Sequence, residues 1–110
     1  MRLPNAHEAR VDREKLLGYL LSTGHPVGRF KARFFRSLGF NESNVTFLEQ
    51  QLISVAQSEE VIEAMSSPHG TKYVIEGTLE TPSGRRARVR TVWIVERDRK
   101  QPRFITAYPA

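Results

Sequence analysis

The sequence predicts an α+β domain, with N-terminal helices packed on a C-terminal antiparallel sheet of three to four strands. Two observations carry this. Apolar residues recur at helical spacing through Val55, and after Gly70 the period falls to two. The later segments are joined by short polar turns, which favour antiparallel neighbours. Helices segregated to one face of such a sheet make an α+β fold. The 110 residues contain no repeat, low-complexity tract or linker, so a single domain spanning 1–110 is expected.

The elements follow in order. The first ten residues read as an extended arm. Asp12 suits an N-cap, and Leu16, Leu17, Leu20 and Leu21 then mark one face of a helix ending near Ser22 to Gly24. His25-Pro26 restarts the chain, because proline fits the first helical position, where its missing N–H costs nothing. That second helix should run from Pro26 to about Leu38 and stop at Gly39. Asn41 to Asn44 offers caps for a third, with Val45, Leu48, Leu52 and Val55 on one face. Ser58 to Met65 reads as another short helix. Alternation around Tyr73 to Glu80, the turn Thr81-Pro82-Ser83-Gly84, the long run Arg86 to Val95 and a last run Arg103 to Tyr108 make the strands. The middle run is the longest and turns apolar on both faces at Val92 to Val95, as a central covered strand does.

Composition narrows the partners. Seventeen Lys and Arg face twelve acids, a net charge of +5, which predicts affinity for polyanions. The charge is segregated: residues 25 to 40 hold Arg29, Lys31, Arg33 and Arg36 and no acid, whereas residues 42 to 63 hold five glutamates and no base. With no cysteine, disulfides and thiolate zinc sites are excluded. His7, His25 and His69 have no ligand spacing, so neither a metal nor another cofactor is expected. The N-terminus opens no apolar run, and the stretch Leu16 to Leu21 falls far short of the ~20 residues that span a bilayer. A soluble, cytoplasmic protein without membrane contact is expected.

Some residues fit plain structure poorly. On a helical wheel with Phe30 at zero, Lys31 falls near 100°, inside the stripe set by Val27, Phe34, Phe35 and Leu38, while Arg29, Arg33 and Arg36 fall opposite. A lysine there either snorkels to the rim or meets an anion in a cleft between helix and sheet. Arg86, Arg88 and Arg90 form a row on one face of the middle strand, either solvated or set to bind a phosphate backbone. Arg103, Thr106 and Tyr108 bring a cation, a hydroxyl and a phenol to the neighbouring strand. His25 sits just before the helix that carries Lys31.

At these residues the sequence resembles a bacterial family. The motif is Tyr19-Leu20-Leu21-Ser22-Thr23-Gly24-His25-Pro26-Val27-Gly28, then Lys31-Ala32-Arg33-Phe34-Phe35 and Leu38-Gly39-Phe40. It continues in Gly70-Thr71-Lys72-Tyr73, Thr91-Val92-Trp93-Ile94 and Pro102-Arg103-Phe104-Ile105-Thr106-Ala107-Tyr108-Pro109. Members occur as small free-standing proteins and as C-terminal tips of polymorphic, contact-dependent toxins. Such tips are similar in architecture to ribonucleases of the barnase–EndoU–colicin–RelE group. The resemblance implies a metal-independent ribonuclease toxin with a small acidic antitoxin or immunity protein as partner. RNA is cut in such chemistry by its own 2′-OH, helped by proton transfer and by stabilisation of the charged phosphorane. Histidine titrates near neutral pH, which suits His25 as acid or base. Lys31 and Arg103 would stabilise the phosphate oxygens, Thr106 or Thr91 would donate a hydrogen bond, and Tyr108 would stack or donate. Arg86, Arg88 and Arg90 would hold the RNA backbone. The alternative is a non-catalytic basic module that binds RNA or protein.

Overall fold

The computed structural model describes residues 1–110. Helix α1 (Arg13–Lys15) runs directly into a π-helical segment, Leu16–Leu20. Helices α2 (Arg29–Ser37) and α3 (Val45–Ser58) follow, and four strands complete the chain: β1 (Val61–Ser67), β2 (Gly70–Glu80), β3 (Arg86–Glu96) and β4 (Arg103–Pro109). The strands form one antiparallel sheet in the order β1-β2-β3-β4. The fold is therefore α+β, with β3 paired on both sides. No helix is long and apolar enough to cross a membrane.

One core lies between the helices and one sheet face. Leu16, Leu20, Leu21, Phe35, Leu48 and Leu52 meet Ile75, Leu79, Val89, Trp93 and Phe104, all fully buried. A buried Leu or Phe side chain contributes about 1.5–3 kcal/mol, so this layer dominates the fold's stability. The helix stop at Gly39 holds because φ there is +96°, a conformation that favours glycine. Asn41 and Asn44 cap the start of the α3 region reciprocally: Ser43 N donates to the Asn41 amide oxygen and Asn41 N to that of Asn44, both at 2.8 Å.

Three expectations need correction. Ser58 to Met65 is not a further helix. Ser58 ends α3, Glu59 turns extended, and Val61–Ser67 pairs with β2 through a tight turn at Pro68 and His69. Nearly all of β1 is exposed, so backbone pairing rather than burial makes it a strand. Leu17 is exposed while Leu16, Leu20 and Leu21 are buried, because Leu21 N bonds Leu16 O at 2.8 Å and the turn is one residue wider than an α-turn. The N-terminal arm is folded down: Leu3 and Val11 are buried, and Arg10 bridges the outer side of β4 by bonding Pro102 O and Phe104 N.

Thr91 holds the centre of the core face. It is fully buried, donates to Ile75 O at 2.9 Å and accepts from the Trp93 indole N–H at 2.8 Å. Thr91→Val strands that indole donor, and leaving a buried donor unpaired costs roughly 1–3 kcal/mol. Thr91→Ser keeps both bonds and loses one methyl, about 0.8 kcal/mol. Chemical denaturation of the two variants should rank valine as the less stable; equal stability would remove the hydroxyl from the core's polar bonding.

A lysine-centred cluster at the joint of helix and sheet

The inward face of α2 is turned from its expected position. Ala32, Phe35 and Leu38 are buried, whereas Val27 and Phe30 are 71% and 65% exposed. The buried arc is thus centred near 140° on the same wheel, and Lys31, near 100°, still points inward. Its ammonium donates to the Tyr19 phenol oxygen at 2.8 Å and to Thr106 Oγ1 at 3.2 Å, and those two oxygens lie 3.2 Å apart. Three elements, the π-helical segment, α2 and β4, therefore converge on one cation. Lys31 forms no ion pair. Its partners are neutral hydroxyls, and the charge is half-buried without a counter-charge.

Tyr19 was not singled out by sequence pattern, yet it is central. Its phenol reaches Lys31 because the widened π turn carries it round to α2, and π turns recur at functional sites. Gly28 makes the approach possible: a Cβ there would stand 2.9 Å from Tyr19 O and 3.0 Å from two of its ring carbons. His25 fixes the same turn. Its Nδ1 accepts from the backbone N–H of Val27 at 3.1 Å and of Gly28 at 3.0 Å, while Arg29 N bonds His25 O at 3.0 Å. The imidazole thus holds the turn Pro26–Gly28 ahead of α2; the helix itself begins at Arg29, with Gly28 as its N-cap, and not at Pro26 as expected. Two donors on Nδ1 leave the ring proton on Nε2. The imidazole also packs edge-on against Tyr19, 5.0 Å between centroids.

Strand β4 carries an extra residue opposite Val92 and Trp93. This bulge changes the alternation, so Arg103, Thr106 and Tyr108, although unevenly spaced, line the same face, opposite Ile94, Val92 and Arg90. Phe104 and Ala107 face the core. Tyr108 joins the cluster, its ring centroid 6.0 Å from the Lys31 ammonium. Arg103 lies further along the row and is occupied by Glu96 at 3.2 Å. Thr91 belongs to the opposite, core face and has no free hydroxyl valence directed at the cluster.

The arginine row of β3 lies on the face away from the helices, but each member meets a carboxylate from β2. Arg88 and Arg90 bind Glu76 at 2.7 and 3.2 Å, and Arg86 binds Glu80 at 3.0 Å. The Arg88 and Arg90 bonds hold the Glu76 carboxyl below the ordinary carboxylate range. Repulsion along the row is thereby relieved within the sheet. Arg36, expected on the solvent side, instead bonds Leu21 O at 2.7 Å and grips Glu42 with both terminal nitrogens, tying α2 to its neighbours.

Burial works to raise the Tyr19 pKa, but the bonds from Lys31 and Thr106 and the charges of Lys31 and Lys15 together outweigh it, and the phenol ends below its ordinary value of 10.0. The surface hollows of the molecule lie elsewhere, around Ser66 to Thr71 and Glu96 to Arg99 at one end of the sheet. The cluster is thus an open rim rather than a pocket.

Residues 2–110 match the family described as Domain of unknown function (DUF6883). No curated protein matches significantly. Among solved structures, the chain is similar to one from a contact-dependent growth inhibition toxin–immunity protein complex from Klebsiella pneumoniae 342. The identity is 20%, 94% of this chain and 95% of that chain are covered, and the TM-score is 0.74. At that identity the likeness establishes a shared fold.

Two substitutions test the cluster's geometry. In the window between its folded value and 10.0, Tyr19 is deprotonated in the folded state and protonated in the unfolded chain. Stability linked to it therefore grows as pH rises through that window. Lys31→Met removes the ammonium and should move the Tyr19 titration upward, followed through its ring resonances. Gly28→Ala should displace the ring and do the same while Lys31 is intact. A Tyr19 titration unchanged in both variants would show that neither contact sets the phenol's acidity.

Proposed function

The chain belongs to the DUF6883 family, and we propose that it acts as a ribonuclease toxin that cuts RNA by transesterification. The observation that carries this is Lys31: a half-buried cation with no carboxylate partner, held by two hydroxyls at the edge of an exposed sheet face. Such an ammonium is arranged for an anion that arrives with a substrate. Its attraction for a phosphate is stronger there than on an open surface, because solvent screens it less. The toxin–immunity origin of the similar structure supports the same direction, as does the net charge of +5.

The chemistry needs few parts. The RNA 2′-oxygen bonds to phosphorus as the bond to the 5′-oxygen breaks, giving a 2′,3′-cyclic phosphate and a 5′-hydroxyl. The 2′-hydroxyl proton passes to the Tyr19 hydroxyl, which gives up its own proton to solvent as it accepts that one, and solvent protonates the 5′-oxygen. Lys31 and Thr106 lie on the non-bridging oxygens, where charge develops. Tyr108 offers a ring or a hydroxyl beside them. His25 holds the Val27–Gly28 turn through Nδ1 and keeps Nε2–H free to donate. Arg103 and the Arg86, Arg88 and Arg90 row reach the RNA backbone on exchanging their glutamates for phosphates. The expected partner is a small acidic inhibitor covering the α2 face, since opposite charge speeds association. The site of action is the cytoplasm, where the RNA is.

The competing reading is a non-catalytic RNA- or protein-binding module. It is favoured by the internal pairing of the sheet arginines. Lys31→Met separates the two. Under the ribonuclease reading, purified Lys31→Met keeps or raises its melting temperature and loses at least about 100-fold in RNA cleavage, as removal of one transition-state donor does; growth arrest on expression disappears with it. Full cleavage by a folded Lys31→Met protein would remove Lys31 from the mechanism. A wild-type protein that leaves RNA intact would leave the binding module.

A further inference from the structure

Helix α2 exposes an aromatic ring that the fold does not use. Phe30 is 65% exposed, contributes nothing to the core and stands directly before Lys31 in the chain. The guanidinium carbons of Arg29 and Arg33 lie 5.1 and 5.6 Å from its ring centroid. Neither guanidinium forms an ion pair or a hydrogen bond, in contrast to those of Arg86, Arg88, Arg90 and Arg103, each of which meets a glutamate. No acid occurs between residues 25 and 40. Uncompensated positive charge is therefore concentrated around one exposed aromatic ring, beside the Lys31 cluster.

We propose that Phe30 is a base-stacking subsite for single-stranded RNA, with Arg29 and Arg33 taking the phosphates on either side of the stacked nucleotide. The proposal rests on the RNA-directed reading above and names how the substrate is held. An exposed guanidinium–ring contact is worth less than a base stacked on an aromatic ring. A nucleobase can thus displace a guanidinium from the ring, and the released arginine finds a phosphate one bond network away. Every base has a π-face, so the subsite selects unpaired nucleotides and is tolerant of sequence. Double-stranded RNA keeps its bases stacked on one another and cannot offer one.

The test uses a fluorescein-labelled single-stranded 2′-O-methyl oligonucleotide, which cannot undergo the cleavage, and the same backbone made abasic. Wild type should bind the base-bearing probe about tenfold or more tightly than the abasic one. Phe30→Ala should lose that difference and Phe30→Trp should keep it. Because Phe30 is exposed, melting temperatures should not change. Phe30→Ala with wild-type base preference overturns the proposal. So does a wild type that ignores the bases or binds neither probe, which would leave the ring to a protein partner. Cleavage of unmodified RNA, measured in parallel, keeps the two readings apart. Base-dependent binding by a wild type that cuts nothing overturns only the ribonuclease. Unchanged KM and kcat for Phe30→Ala on RNA that wild type cuts overturns only the subsite.

Discussion

The joint between helices and sheet is organised around a positive charge that has no negative partner. A half-buried ammonium bound only to hydroxyls is an expensive arrangement, and much of the local structure serves to maintain it. The π turn delivers Tyr19, the bulge in β4 delivers Thr106, and the absence of a side chain at Gly28 lets α2 close on both. His25 clamps the turn between Ser22 and Arg29 so that Lys31 starts from a fixed place. Core packing alone would not require any of these devices. Leucine at position 31 would satisfy the apolar arc of α2 more cheaply.

The two basic regions of the chain look alike in composition and differ in electrostatic state. On β3, alternation places Arg86, Arg88 and Arg90 on one face, and the Thr81–Gly84 turn fixes a register that sets Glu80 and Glu76 among them. On α2, no acid is within reach of Arg29, Lys31 or Arg33. Exposed ion pairs are individually weak, so the β3 row can exchange partners, whereas Arg29, Lys31 and Arg33 of α2 are free from the outset. A count of arginines per segment misses this; pairing decides it.

Much of the architecture was legible in the sequence, and the failures have identifiable causes. The α3 face at Val45, Leu48, Leu52 and Val55 and the central place of β3 followed from period and length. Lys31 was found because a cation at an inward angle conflicts with its neighbours. Strand β1 was misread because six of its seven residues are exposed, leaving no alternation to detect. The common face of Arg103, Thr106 and Tyr108 contradicts strict alternation and depends on a bulge that no local residue type announces. Tyr19 escaped for a parallel reason: a wheel of 3.6 residues per turn cannot describe a segment whose hydrogen bonds span five. The compensation of the arginine row, by contrast, could have been obtained by pairing residues outward from the Thr81–Gly84 turn.

That widened turn has a consequence for how such a chain can diverge. Leu16 and Leu21 are core anchors on either side of it, and the phenol of Tyr19 is aimed by the five-residue spacing between them. A chain one residue shorter between those leucines cannot keep both anchors buried and the phenol at Lys31. Insertion and deletion, rather than substitution, are then the events that make or unmake the Tyr19–Lys31 contact. Two relatives with every cluster residue present would still differ in geometry if the segment between those leucines differed in length.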